Sequence, residues 1–394
     1  MADRCSLHCI IPPFMLDSIA RRGTPEQQEF ARRCLGESDR IRDQRLSRIL
    51  EGTPAALDVS PALTGKQRIV YSAEFGTSLP GQRVRGESDA ATGDAAVDEA
   101  FEGSGATYDL YKSVFGRNSI DGNNLPLEST VHYGRGFDNA FWNGRQMVYG
   151  DGDEDLPVSQ RLFNRFTASL DVIAHELTHG VTQFSANLEY RNQSGALNEH
   201  FSDVFGALVK QWKRQQSAQE ADWLIGSELL TDNVQGTAIR SMKAPGSAYD
   251  DPVLGSDPQP SHMNDFVETT QDNGGVHINS GIPNHAFYRV ALRLGGNAWE
   301  QAGLIWYRAL TSGQLATTAS FQDVVNLTAA IATRQFGADS AQLQAVILGW
   351  QDVGLTPVLD EDTPDGPVEP EPPPATPPPR GCNPLGFLWR GSDS

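Results

Sequence analysis

Cysteine, positive charge and long apolar runs are all scarce in this 394-residue chain, and each shortage excludes something. There are four cysteines, Cys5, Cys9, Cys34 and Cys382, with none between positions 34 and 382. The long central stretch therefore carries no disulfide, and any thiol chemistry belongs to the ends. Lys and Arg total 31 against 50 Asp and Glu, giving a net charge of −19 and a pI near 4.8. That balance argues against binding a phosphate backbone and favours solubility. No apolar run approaches the roughly 18 residues of a membrane span. Residues 1–14 have few basic groups and a short apolar segment cut by Pro12 and Pro13, which is not the pattern of a secretory signal. What remains is length enough for two ordinary domains, each with a sizeable core.

Residues 1 to about 65 read as a unit apart. Thr24-Pro25-Glu26-Gln27 is a helix start, with Thr at the N-cap, Pro at the first helical position and Gln closing a capping box. Charges of both signs alternate from Arg32 to Arg48 around the apolar positions Phe30, Cys34, Ile41 and Leu46. Residues 52–65 are rich in Gly, Pro and Ser, a linker and a place for a proteolytic nick. From Lys66 the pattern turns strand-like at Arg68–Ala73, Thr130–Tyr133 and Gln146–Tyr149, with helical spacing over 94–115. Beyond residue 187 the chain reads as helical almost throughout. Ser320 with Asp323, and Ser340, open two of those helices. From Asp360 an acidic, proline-dense tail forms a polyproline spacer ending in Cys382 and an apolar group around Trp389.

Residues 171–180 read D-V-I-A-H-E-L-T-H-G. On a helix His175 and His179 leave the same face one turn apart, with Glu176 beside the first. Two imidazoles at that spacing hold zinc, and the glutamate works on a metal-bound water. Such a site needs a third ligand. Glu199 lies 20 residues past His179 in an amphipathic run, and Asp203, one turn further on, is placed to accept the outer N–H of a ligand histidine. Further along, Gly274-Gly275 permits a tight turn that presents His277, with Asp272 close enough to orient it. His132, His200, His262 and His285 read as surface or satisfied core histidines, and Phe141 and Trp142 as core.

The stretches D-V-I-A-H-E-L-T-H-G-V-T-Q, S-G-A-L-N-E-H-F-S-D-V-F-G, D-N-A-F-W-N-G, I-R-S-M and D-N-G-G-V-H-I-N-S-G-I resemble the thermolysin-like metalloproteases, over roughly residues 66–357. Cys9 to Leu16, C-I-I-P-P-F-M-L, is similar to the N-terminal motif of the protealysin-like branch, which carries a short pro-segment. The resemblance implies an α+β, two-domain fold: a β-rich half (66–186) and a mainly helical half (187–358) joined at a central zinc-binding helix. It implies that His175, His179 and Glu199 hold one zinc ion and that Asp203 orients His175. Glu176 would activate the water and pass its proton to the leaving amine. His277, held by Asp272, and Tyr190 would stabilise the oxyanion. Arg240 would bind the substrate carbonyl beyond the scissile bond. Asn139 and the Ala140 backbone would align the peptide as an added strand. Val172, Ile225 and Ile239 match apolar pocket positions, implying cleavage before Leu, Ile, Val or Phe.

The family's paired calcium site takes acidic residues that here read Lys210, Leu224 and Ser227, leaving Asp171 and Asp222. Three lost carboxylates are too few for two calcium ions, so the pair is expected to be absent, with Lys210 joined to Asp171 or Asp222 instead. The chain is thus expected to be a monomeric, secreted zinc endopeptidase acting on peptides and proteins, with its own pro-segment (1–65) as an inhibitory partner in cis. Retention in the cytoplasm is the alternative, given no recognisable signal. A thiolate of Cys5 or Cys9 is a candidate cap for the zinc. The rival readings are an aminopeptidase sharing the zinc helix, and a catalytically inactive module that holds peptides or a partner in the cleft. An effector role presented by the tail is compatible with protease activity.

Overall fold

The computed structural model describes the backbone of residues 8–50 and 65–358 and the side chains of residues 9–37 and 65–358. Cys5, the tail with Cys382 and nearly all of the expected linker lie outside the described residues, as do the side chains of Ile41 and Leu46.

A six-stranded sheet supports one half of the molecule. Its strands are β1 (His8–Cys9), β2 (Arg68–Ser72), β3 (Gln82–Gly86), β4 (Leu127–Val131), β5 (Ala140–Trp142) and β6 (Met147–Tyr149), in the order β1-β5-β6-β4-β2-β3. The β2–β4 and β4–β6 pairs are parallel and the rest antiparallel. The expected strand over 130–133 stops early, at Val131. His132 has a left-handed φ of 54° and is tied through its two ring nitrogens to Asp151 (2.8 Å) and Asp94 (3.1 Å), so the chain turns there. Between the parallel strands runs α3 (Ala95–Phe115), started by the Asp94 side chain accepting from the amides of Ala96 and Val97.

The N-terminal segment supplies β1, then α1 (Pro13–Arg22) and α2 (Pro25–Leu50). The Thr24/Gln27 capping box forms, with the Thr24 amide donating to Gln27 at 2.7 Å and the Gln27 amide to Thr24 at 3.3 Å. The α2 helix packs on the sheet half, whereas α1 reaches the loop that follows Asp250–Asp251, its Ser18 Oγ donating to the Val253 carbonyl at 2.7 Å. Cys34 of α2 is buried and accepts from the Asp138 amide at 3.0 Å, while the Tyr133 hydroxyl donates to Glu37 at 2.5 Å. The segment therefore completes the sheet at β5, an edge that would otherwise present unpaired backbone.

The first half ends with α4 (Leu170–Gln183), which meets α5 (Asn192–Arg214) at the start of the helical half, and the two form the most extensively packed pair. Their axes approach closely because Gly206 of α5 has no Cβ. One there would lie 2.6 Å from the Asp171 carbonyl oxygen. The near-continuous helix expected after residue 187 is interrupted over 215–271. That stretch forms the short pairs β7 (Leu224–Ile225) with β8 (Arg240–Ser241) and β9 (Asp250–Asp251) with β10 (Gly255–Ser256). Turn-forming residues such as Pro245-Gly246 and Asp257-Pro258 break helical periodicity there, and side chains satisfy the freed backbone; Asp257 accepts from the amides of Gly246 and Ala248. Helical structure resumes with α6 (Asp272–Asn279), α7 (Gly281–Leu294), α8 (Ala302–Thr311), α9 (Phe321–Phe336) and α10 (Ala341–Gln351). Ser320/Asp323 and Ser340 cap the last two, as their sequence implies. Trp306 of α8 stacks on Trp350 of α10 at 5.8 Å inside this helical core.

Candidate active site

The α4 helix lies between sheet and helices with its middle wholly buried, so His175, Glu176 and His179 are withdrawn from solvent. Burial at this depth requires that every polar atom find a partner. The outer nitrogens do. His175 Nδ1 donates to Asp203 at 2.8 Å and His179 Nδ1 to Asn198 at 2.8 Å. The Asn198 amide is oriented by donating to the Leu188 carbonyl at 3.1 Å. With both Nδ1 atoms protonated, both Nε2 atoms of the neutral rings carry lone pairs, and they face each other 3.0 Å apart. Two acceptors so close repel unless a cation lies between them.

Glu199 adds the third donor, its carboxylate oxygens 3.5 Å from His175 Nε2 and 3.4 Å from His179 Nε2. Its Oε2 is buried with no hydrogen-bond partner among the described residues. Two converging ring nitrogens and a carboxylate oxygen without a hydrogen bond among the described residues match a tetrahedral zinc centre. Bond lengths of about 2.0–2.1 Å there imply ligand atoms roughly 3.3 Å apart. The residues present fit the ion.

Glu176 points to the same place. Its Oε2 accepts from the Trp142 amide at 3.0 Å, and its Oε1 is buried and unpartnered among the described residues. Burial, followed by the charge of Glu199, raises its carboxyl well above the usual range, and a divalent ion at the histidines acts against that rise. Asp203 shows the reverse: although burial opposes ionisation, the Arg240 guanidinium and His175 hold it well below the usual carboxylate range. Arg240 of β8 grips it through Nε and a terminal nitrogen, both at 2.8 Å.

Across the centre, the backbone of Asn273, Gly274 and Gly275 is left-handed (φ 51°, 88° and 77°), which turns α6 so that His277 faces α5. Its Nδ1 meets Asp272 at 2.6 Å and its Nε2 meets the Cys9 carbonyl at 3.0 Å. Both partners are acceptors, so the ring is an imidazolium. Against the effect of burial, Asp272 and Glu199 raise its pKa to about 9. The Tyr190 hydroxyl donates to Glu199 and lies 3.0 Å from His277 Nε2.

The N-terminal segment runs directly over these groups. Its β1 pairs antiparallel with β5, Cys9 opposite Phe141. The Ile10 amide donates to the Ala140 carbonyl at 3.2 Å and the Ile11 amide to Asn139 Oδ1 at 3.1 Å. Asn139 Nδ2 donates back to the Ile11 carbonyl at 3.4 Å, and Arg240 donates to the Ile10 carbonyl at 3.1 Å.

All the expected site residues thus meet in one cleft: the three candidate ligands, Glu176, His277, Asp272, Tyr190, Asp203, Asn139, Ala140 and Arg240. Val172 of α4, Ile225 of β7 and Ile239, which precedes β8, are buried. Four contributors went unread. Asn198 and Ser202 flank His179 Nδ1 (2.8 and 3.0 Å), the Trp142 amide fixes Glu176, and Asn284 donates to Asp203 at 2.8 Å. Only the general need of a metal-bound histidine for an outer partner hinted at Asn198. A backbone amide and a residue 81 positions from its acceptor leave no sequence signal.

Comparison with known proteins agrees with this geometry. Residues 61–183 match the catalytic domain of thermolysin metallopeptidase and residues 186–355 its alpha-helical domain. An extracellular metalloprotease of Pectobacterium carotovorum subsp. carotovorum is 48% identical over 346 residues, 88% of this chain and 96% of the relative. Protease PrtS of a Photorhabdus species is 45% identical, covering 90% and 93%. Among solved structures, the precursor of protealysin from Serratia proteamaculans superposes with a TM-score of 0.78 at 46% identity, over 89% of this chain and all of that one. With its zinc-binding geometry, these matches place the chain in the thermolysin family of metallopeptidases, as a zinc metalloendopeptidase.

Proposed function

We propose that this endopeptidase is made as a precursor and held latent by its N-terminal segment (1–65), whose residues Cys9–Ile11 lie along β5 as a substrate would. We further propose that it cleaves before bulky apolar residues. The observation that carries this reading is the binding of Cys9–Ile11. An extended backbone is added to β5, its amides and carbonyls are met by Asn139, Ala140 and Arg240, and one carbonyl is turned to His277. Main-chain bonds of this kind hold any peptide, while side-chain pockets choose among them. Ile10 has no exposed surface, which supports a preference for an apolar residue immediately after the bond at His277.

His175, His179 and Glu199 would hold the ion, with Asp203 and Asn198 fixing the two rings. Bound there, zinc polarises the scissile carbonyl and lowers the pKa of a water molecule. Glu176, held by the Trp142 amide, has one free carboxylate oxygen with which to take that water's proton and later give it to the leaving amine. The charged His277 and the Tyr190 hydroxyl donate to the carbonyl oxygen as negative charge develops on it. Arg240 holds the next carbonyl. This complement of proton-transfer and donor groups speaks against the inactive-module reading. The segment enters the cleft through its backbone, with the Cys9 carbonyl at His277, so a thiolate cap is not required for latency.

At the calcium position, Lys210 Nζ donates to Asp171 at 2.8 Å, to the Leu224 carbonyl at 3.0 Å and to Ser227 at 3.3 Å, with Asp222 at 3.1 Å. A buried ammonium already meeting these oxygens supports the absence of a calcium pair. The name of the Pectobacterium relative supports an extracellular site of action, and no helix among the described residues is long and apolar enough to cross a membrane.

The test uses full-length protein, protein lacking the N-terminal segment, and Glu176→Gln in both, with peptides varied at the residue following the cut. The expected result is cleavage before Leu, Ile, Val and Phe by the shortened wild type alone. Equal activity from the full-length chain before any processing removes latency, and cuts placed without regard to the following residue remove the specificity.

A further inference from the structure

We infer that His200, together with Asn284 and Trp306, positions the zinc centre through Asp203; this rests on the reading of His175 as a ligand and Asp203 as its partner. His200 sits one residue after Glu199 on α5, wholly buried, and faces away from the metal into the helical core.

Its tautomer follows from its neighbours alone. The Trp306 indole nitrogen is only a donor, and it donates to His200 Nε2 at 2.7 Å. That nitrogen is therefore unprotonated, and the proton of the neutral ring sits on Nδ1. His200 Nδ1 donates to Asn284 Oδ1 at 2.8 Å, so the amide of Asn284 can be oriented only one way. Its Nδ2 then donates to Asp203 Oδ2 at 2.8 Å, and Asp203 Oδ1 accepts from His175 Nδ1 at 2.8 Å. Every member is buried and each donor has a single available direction.

The chain matters because the other hold on Asp203 is shared. Arg240 grips Asp203, but it also donates to the Ile10 carbonyl, where a peptide would lie. Each exchange of peptide at that position perturbs the guanidinium. Asn284 is the one donor to Asp203 that, among the described residues, touches neither the peptide segment nor the metal ligands. Oriented by His200, it keeps Asp203, and through it the His175 ring, in place while Arg240 works.

Two polar substitutions separate this role from packing. His200→Asn keeps a donor near the Nδ1 position toward Asn284, whereas His200→Gln keeps an acceptor near Nε2 toward Trp306 and loses that donor. Zinc release from the full-length protein into excess chelator is followed colorimetrically, along with the visible spectrum of the cobalt-substituted form and the melting of zinc-depleted samples. Loss of an outer partner typically costs 10–100-fold in metal affinity. One bond further out, the expected effect is roughly 3–10-fold faster release for His200→Gln, with an altered cobalt spectrum, and near wild-type release for His200→Asn. Trp306→Phe, which removes the first donor, gives a smaller acceleration and serves if the histidine variants fail to fold. Equal release from the Asn and Gln variants, or an unchanged rate in Trp306→Phe, overturns the inference. His175→Ala is the separate control: if it retains zinc like the wild type, the ligand assignment itself is wrong.

Discussion

Replacing Lys210 by Met tests whether a lysine has taken over a cation's work at the start of the zinc helix. The ammonium is almost fully buried and lies 2.8 Å from the equally buried Asp171 carboxylate. At the effective dielectric that suits protein sites, that pair interacts by about 6 kcal/mol before desolvation is subtracted. Asp222 adds less, because over a third of its side chain faces water. Removing one partner of a buried pair typically costs about 3–5 kcal/mol. Here Asp171 keeps two donors, Ser169 Oγ at 2.6 Å and the Gly226 amide at 3.2 Å, which points to the lower end. At roughly 2 °C per kcal/mol for a chain of this size, the apparent Tm should fall by about 6 °C. Calorimetry at fixed scan rate measures it, with and without millimolar calcium. The wild type should be indifferent to calcium at this site, and Lys210→Asp should be unstable without calcium and partly restored by it. The physical reason is that three carboxylates and the Leu224 carbonyl again offer oxygen ligands. Burial lowers the Lys210 pKa, but Asp171 and Asp222 outweigh it and raise the value. Its contribution is therefore complete below the ordinary lysine pKa and is lost only as pH rises through the higher folded value. A Lys210→Met protein melting within 1 °C of wild type would refute the reasoning.

Ile10→Asp puts a carboxylate where no solvent reaches, so the segment should dock far more weakly. Initial hydrolysis of a peptide by the intact variant should exceed that of the wild-type precursor at least about ten-fold, and an unchanged lag would contradict the docking. Glu176→Gln should lower the turnover of the shortened enzyme by several powers of ten while zinc content, measured by elemental analysis, stays near one per chain; the prediction fails if the variant cleaves at a comparable rate. Asp153 lies buried near Asp138 beneath α2. Burial raises its pKa to about 6, against the lowering effect of its bonds from the Leu162 and Phe163 amides. A raised carboxyl pKa stabilises the fold below the unfolded value near 4, and that stability is lost as pH rises to about 6. Asp153→Asn should therefore gain on wild type by on the order of 2 kcal/mol between pH 4 and 6.5, read from denaturant midpoints; a difference independent of pH would rule this out.

Much of the site was legible because short-range geometry carries it. His175, Glu176 and His179 share one helical face whatever surrounds them, and Gly274-Gly275 can turn the chain before His277 without any tertiary help. The caps at Thr24, Ser320 and Ser340 are similarly local. Reading failed where the deciding partner was distant. Residues 215–271 are organised by side chains closing their own loops, which periodicity does not register, and His132 ends β4 because two remote aspartates hold it.

The sequence by itself therefore determined the ligand chemistry: which residues can bind zinc, move a proton and donate to a carbonyl, since side-chain type and helical spacing settle that. It also determined that Lys210 stands among positions expected to be acidic. Tertiary structure alone decided that both histidine Nε2 lone pairs converge while both Nδ1 protons are spoken for. It alone laid Cys9–Ile11 along β5, and it alone linked Trp306 to His175 through His200, Asn284 and Asp203. A hydrogen bond depends on where an acceptor lies within a few tenths of an ångström, and for groups more than a hundred residues apart only the folded core sets that distance.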